Sequence, residues 1–166
     1  VTPLAFAASC NNPNAVRLLL ACGAHPLLLN SGGRQAITYA AESGSIDCLK
    51  LILDASPASA QPLKAHDSDG WNIMHYVCRS GSIECLKYLL DLCPELIDEE
   101  NQHQELPLHI AFQCNSNGRN NDIISLLMQL QISKGDLHKK DRFDMNLLHW
   151  ASITTPPDQE TSYLVN

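Results

Sequence analysis

The residues of this 166-residue chain best able to do chemistry are its histidines and cysteines. His75 and Cys78 stand three apart, a spacing that puts both on one face of a helix and could make an activated thiolate. His75, His109 and His149 could instead ligate a metal with some of the seven cysteines, Cys10, Cys22, Cys48, Cys78, Cys85, Cys93 and Cys114. The sequence around them supports neither use. No carboxylate or oxyanion donor is placed to complete the Cys–His pair. No two cysteines form a CxxC or another tight ligand spacing, and no GxGxxG, phosphate loop or HExxH occurs. We therefore expect no catalytic residue, no metal ligand and no cofactor, and read the odd number of cysteines as reduced thiols of an intracellular protein.

Composition narrows the partners. Eighteen acids against eleven bases give a formal charge of -7, a field that repels phosphate backbones, so no nucleic acid is expected. The one basic cluster, His138, Lys139, Lys140 and Arg142, is interleaved with Asp136, Asp141 and Asp144 and reads as a solvated loop. With 45% hydrophobic residues the chain can bury one sizeable core, which makes residues 1–166 one expected domain, monomeric as such. No run approaches the roughly 18 apolar residues that a bilayer crossing needs, and no basic start precedes an apolar stretch, so membrane insertion is not expected.

What positions the histidines is a repeat. A six-residue pattern occurs five times: TPLAFA from Thr2, QAITYA from Gln35, NIMHYV from Asn72, LPLHIA from Leu106 and NLLHWA from Asn146, with starts 33, 37, 34 and 40 residues apart. Thr2, Asn72 and Asn146 can cap a helix, and Pro3 and Pro107 suit its first turn. Gly44 and Gly81 follow about ten residues later and can end that helix in the left-handed conformation. After each of the first four copies comes a second apolar segment, AVRLLL, IDCLKLIL, IECLKYLL and IISLLM. In two of these, Ile46, Leu49, Ile52 and Leu53, and Ile83, Leu86, Leu89 and Leu90, fall at spacings of three and four, one buried stripe each. Cys48 and Cys85 share a place in this stripe and read as core. Helices of about ten residues are marginal alone, so each pair needs the next against its apolar side.

These copies resemble the ankyrin repeat, a unit of about 33 residues with a T-P-L-H-x-A signature. The resemblance implies an all-α solenoid of stacked helix-turn-helix units with short β-hairpin or loop fingers. The repeats would run approximately 1–29, 30–66, 67–100, 101–140 and, in part, 141–166. It also makes the signature histidines structural, each hydrogen-bonding nearby backbone. Departures from 33 residues place extra loop after Leu53, in the Ser/Pro/Ala-rich run 54–65, which should bulge outward, and within 113–122 and 128–141. The fourth finger, NQHQE, lacks the glycine of NSGGR and DSDGW, so its tip should be shifted. The chain opens on the first signature without a finger and stops beyond Pro156 and Pro157 without a capping repeat, and reads as a fragment of a longer protein.

In the ankyrin family, partners are held by finger tips and the exposed side of the first helices, together a concave face. Carried onto this chain, that implies a partner protein or peptide bound through Arg34, Glu42, Ser43, Asp69, Trp71, Arg79, His103, Glu105, Gln113, Phe143 and Met145, with Arg142 beside them and Ser80 among the first-helix exposures. Trp71, between Gly70 and the cap Asn72, should project from its finger as an aromatic anchor, flanked by Arg34, Glu42, Arg79 and Glu105; the alternative is that it folds back. Phe143 and Met145 form a second apolar tip. Rival functions are a recruiting arm of a larger enzyme or bacterial effector, and a methyl-lysine reader using Trp71, Tyr76 and Trp150.

Overall fold

The computed structural model describes residues 1–57, 61–115, 118–134, 138–141 and 143–154. Arg142, Pro156, Pro157 and parts of the three expected loop expansions lie outside them. Among the described residues there are nine α-helices: α1 Pro3–Ser9, α2 Pro13–Ala21, α3 Ala36–Glu42, α4 Ile46–Asp54, α5 Ile73–Ser80, α6 Ile83–Leu92, α7 Pro107–Gln113, α8 Asn121–Lys134 and α9 Leu147–Thr154. The one bridge of strand type among them joins Lys140 and Asn146 at the base of the last finger. Among the described residues no helix is long and apolar enough to cross a membrane.

Helix ends follow their residues. Thr2 Oγ1 accepts from Ala5 N–H at 3.1 Å and Asn12 Oδ1 from Ala15 N–H at 3.0 Å, each with a proline next in the first turn. Ser45 and Ser82 do the same for α4 and α6, accepting from Cys48 and Cys85 N–H at 3.3 Å. Each such cap is worth about 1 kcal/mol. Gly81 ends α5 with φ +80°, and an added Cβ there would lie 2.7 Å from Asn120 Oδ1. Both the turn and the close neighbour require glycine.

Two layers result. The first helices α1, α3, α5, α7 and α9 pack in series, and the second helices α2, α4, α6 and α8 form the other layer behind them. Small residues let the first helices approach closely: Ala8, Ala40, Ala41, Val77, Cys78 and Ala111 are all fully enclosed. The second-layer stripe buries Cys48, Leu49 and Ile52 in α4 and Cys85, Leu86 and Leu89 in α6 completely, each large aliphatic contributing roughly 1.5–3 kcal/mol. The 54–65 run is mixed, with Asp54, Ala55, Pro57, Gln61 and Lys64 exposed. Residues 58–60 are outside the described set, but Pro62 is buried in a short 3-10 turn, Pro62–Lys64, and Leu63 packs on the core. The proline that ends the insertion returns the chain to the stack because its apolar ring has more to gain there than in water.

Polar ties cross between repeats. Ser43 Oγ donates to Ala8 O at 2.9 Å and Ser82 Oγ to Gly44 O at 3.3 Å. Asn120 Nδ2, wholly buried, donates to both Cys78 O at 3.1 Å and Ala111 O at 3.0 Å. These bonds fix the register of neighbouring units as well as their contact.

Candidate functional site

Each finger is a five-residue turn on one plan. An Asn or Asp at its root (Asn30, Asp67, Asn101 or Asp141) accepts through Oδ1 from the backbone N–H groups two and four residues on, at 2.8–3.0 Å. The root N–H donates to the carbonyl of the fifth residue at 2.9–3.1 Å. The fourth residue is left-handed in all four: Gly33, Gly70, Gln104 and Asp144, with φ of 73°, 76°, 60° and 62°. The fourth finger is therefore not shifted. Its root asparagine makes the same bonds, and Gln104 accepts a backbone strain of about 1–2 kcal/mol that glycine would escape.

An aromatic residue on the following first helix, nine residues after the root, holds three of these fingers. Asn30 Nδ2 donates to the Tyr39 hydroxyl at 2.7 Å, the Tyr76 hydroxyl donates to Asp67 Oδ2, and Trp150 Nε1 donates to Asp141 Oδ2 at 2.9 Å. Ile110 occupies this place in the fourth repeat and has no polar end. There the Glu105 carboxylate substitutes, accepting from Asn101 Nδ2 at 2.8 Å and from Gln113 Nε2 at 2.9 Å. Neighbouring fingers are also laced together: Ser68 N–H donates to Gly32 O at 3.1 Å, Gln102 N–H to Asp69 O at 3.0 Å and Gln102 Nε2 to Ser68 O at 2.8 Å. A Cβ at Gly70 would lie 3.0 Å from Gln102 N, so the lacing itself excludes a side chain there.

Between these fingers and α5 lies a recess of about 320 Å³ lined by Arg34, Asp69, Trp71, Tyr76, Arg79 and His103 among others. Its floor is an alternation of cations and rings. The Arg34 guanidinium sits 4.0 Å from the Tyr39 ring centre and 4.3 Å from that of Tyr76, and pairs closely with Glu42. The other Glu42 oxygen is 3.4 Å from Arg79 Nη1, and Arg79 lies 5.9 Å from the Trp71 ring centre. One carboxylate thus serves two guanidinium groups. Burial first, then the Asp67 carboxylate that accepts its proton, pushes the Tyr76 phenol above its ordinary value.

The structure brings Arg34, Glu42, Asp69, Trp71, Arg79 and His103 together at this recess and corrects several placements. Trp71 does not project. Its N–H is held by Asp67, and its ring folds back onto α5, with ring centres 5.1 Å from Tyr76 and 5.6 Å from His75. Stacking there offsets the cost of leaving so large a ring in water. Glu105 is buried, because its finger has no other means of holding Asn101. Ser43 is half-buried and spends its hydroxyl on the tie to Ala8, while Ser80 is buried and donates to Val77 O at 2.9 Å. Gln113 is exposed but braces Glu105. Phe143, 59% exposed, and the half-buried Met145 form a separate tip in the fifth repeat, where Trp150 also lies. Tyr39, which packs on Arg34, and Asp67, which lines the recess, were not singled out from sequence; the recurring Asn/Asp followed by an aromatic nine residues later is the signal that identifies them.

The candidate nucleophile and base are committed elsewhere. His75 Nε2 donates to Glu105 O at 3.0 Å, which leaves Nδ1 to accept from Asn72 N–H at 3.3 Å. Burial lowers this histidine to about 4, against weaker upward pulls from Glu105 and Asp67. His109 Nδ1 accepts from Leu106 N–H at 2.9 Å, and burial lowers it too. Cys78 is fully enclosed, and burial pushes its thiol well up. Among the described residues no group of three or more His, Cys, Asp or Glu gathers as a metal site.

This geometry agrees with the comparisons to known proteins. The human B-cell lymphoma 3 protein is 36% identical over 74 residues, and its mouse homolog 35% over 74 residues, in each case 45% of this chain and 16% of the relative. The match therefore spans about one sixth of the length of those relatives. A family model described as ankyrin repeats (3 copies) matches residues 1–62 and again 58–141. Together these matches cover most of the chain, with the finger plan and stacked helix pairs in register beneath them, and the chain belongs to the ankyrin-repeat family.

Proposed function

We propose that the chain binds a partner protein or peptide on the concave side formed by its finger tips and first helices, with the recess at Trp71 as the main contact. Ankyrin repeats are generally protein–protein interaction modules. The observation that carries the placement is the preassembled recess: Trp71 and Tyr76 are packed, Glu42 is shared between Arg34 and Arg79, and Arg79 remains 52% exposed at the opening. A surface already ordered before contact loses little side-chain entropy on binding. Trp and Arg are the residue types that most often dominate interface energy. Asp69 and His103 border the same opening; Phe143 and Met145 offer a second apolar contact, while Ser43, Glu105 and Gln113 support the surface from within or beside it.

Recognition is proposed as the whole activity of this segment. The Cys78–His75 pair has its thiol enclosed and its imidazole held by backbone, and the family is typically non-catalytic. The test is a pull-down from cognate lysate with wild type, Trp71→Ala, Arg79→Ala and, on the second-helix layer, Lys87→Ala. Binding should fall in the first two variants by about tenfold or more and persist in the third. Equal capture by all four would show that the recess is not the contact.

A further inference from the structure

Most of the acids around the recess are already spent. Glu42 is shared by Arg34 and Arg79, and Asp67 accepts from two backbone N–H groups at Oδ1 and from the Tyr76 hydroxyl at Oδ2. Asp69 differs. It stands exposed on the rim, and among the described residues no hydrogen bond or ion pair reaches its carboxylate. The balance of charge has the same sign. Glu42, Asp67 and Asp69 outnumber Arg34 and Arg79, and Glu105 on the next finger adds a fourth carboxylate. The next cation, Arg119, is bound to Ser80 O at the other end of α5.

We infer, on the binding surface proposed above, that the recess takes an extended peptide segment in which a Lys or Arg stands beside a large apolar side chain, the cation on Asp69 and the apolar group on Trp71. An uncommitted carboxylate gains an ion pair without giving up an existing bond, and the net negative charge about it draws a cation and repels an acid. Ser68, on the same rim, adds a hydroxyl as a further acceptor. Arg79 sets direction. A cation turned towards α5 would meet a like charge there, so the basic residue lies at the finger tips and the apolar one over Trp71, where Arg79 donates to uncharged carbonyls of the segment. The segment's cation does not enter between Tyr39 and Tyr76, a space that Arg34 fills.

The test is a selection from a random peptide library, in low salt, run in parallel on wild type, Asp69→Asn, Asp69→Lys, Trp71→Ala and the outer-layer control Asp91→Lys, which makes the same change of net charge away from the recess. Circular dichroism confirms that each is folded. Wild type and Asp91→Lys should select Lys or Arg next to Leu, Ile, Met or Phe. Asp69→Lys should select Asp or Glu in place of the base, Asp69→Asn should lose the charge preference, and Trp71→Ala should lose the apolar one. A peptide chosen by wild type should bind Asp69→Lys roughly tenfold more weakly, and trimethyl-lysine in place of its base should not bind more tightly. The inference is overturned if the base is absent from the wild-type selection, persists in Asp69→Lys, or is bettered by trimethyl-lysine. The broader binding surface then still stands, provided Trp71→Ala weakens binding. If peptides chosen by wild type bind every variant equally, or none is enriched at all, that surface is itself refuted.

Discussion

Protonation of His75 should drain stability from the fold in a window that its surroundings define. In the folded chain the ring is fully buried, donates from Nε2 to Glu105 O and accepts at Nδ1. A protonated ring would gain a bond to Asn72 Oδ1, 2.8 Å from Nδ1, but would carry its charge without solvent, while the Glu105 carboxylate is already engaged by Asn101 and Gln113. Burial wins, and the folded value falls from 6.5 to about 4. The unfolded chain therefore takes up the proton first as pH falls. Stability is complete above the unfolded value and is lost between it and the folded one. The loss reaches about 2 kcal/mol by pH 5 and about 3 kcal/mol below pH 4. Urea melts of wild type and His75→Gln at pH 7 and pH 5 isolate this residue from the other histidines and the carboxylates. The variant should be less stable at pH 7 by about 1–3 kcal/mol for the lost buried bonds, yet should lose about 2 kcal/mol less than wild type on acidification. Equal losses in the two proteins would refute the claim that His75 is held neutral.

Further outcomes follow from the fingers and their ties. Gln104→Gly should stabilise the chain by about 0.5–1 kcal/mol, since φ there is 60°, whereas Gly70→Ala should destabilise by more than about 1 kcal/mol, because φ is 76° and the new Cβ meets Gln102 N at 3.0 Å; thermal melts read both signs. Tyr76→Phe removes the donor that holds Asp67 Oδ2 and should cost about 1–2 kcal/mol in the same assay. Asn120→Ala should cost about 2–3 kcal/mol, leaving the carbonyls of Cys78 and Ala111 without this donor, and hydrogen exchange should rise at the junction of α5 and α7.

The helices were legible because what makes them is local. A cap, a first-turn proline and apolar residues at spacings of three and four all sit within one short window, and α1 to α9 begin within about two residues of those signals. The candidate site was legible as a set of positions but not as a geometry. Trp71 reads as a projecting residue from its neighbours Gly70 and Asn72; its real position depends on Tyr76, His75 and Arg79 together. Glu105 reads as a tip acid, and is buried because Ile110, five residues on, lacks the polar end that Tyr39, Tyr76 and Trp150 possess. The missing glycine of the fourth finger misled for the opposite reason: the root Asn101 specifies the turn, and Gln104 follows it.

The use of Arg34 decides between two kinds of recognition surface. Tyr39 and Tyr76 face a common space of the size that an aromatic cage needs for an alkylated ammonium, with Glu42 alongside. Here the chain's own guanidinium fills that space and takes the carboxylate, and Trp150, one of the three rings the sequence offered for such a cage, is anchored to Asp141 two repeats away. A methylated lysine would have to expel Arg34 from both rings and from its ion pair, leaving a cation partly buried without its counter-charge, which costs on the order of 3–5 kcal/mol. The rings and acid that could bind a foreign cation are thus spent on an internal one. What they leave at the surface is a packed tryptophan and a half-exposed arginine.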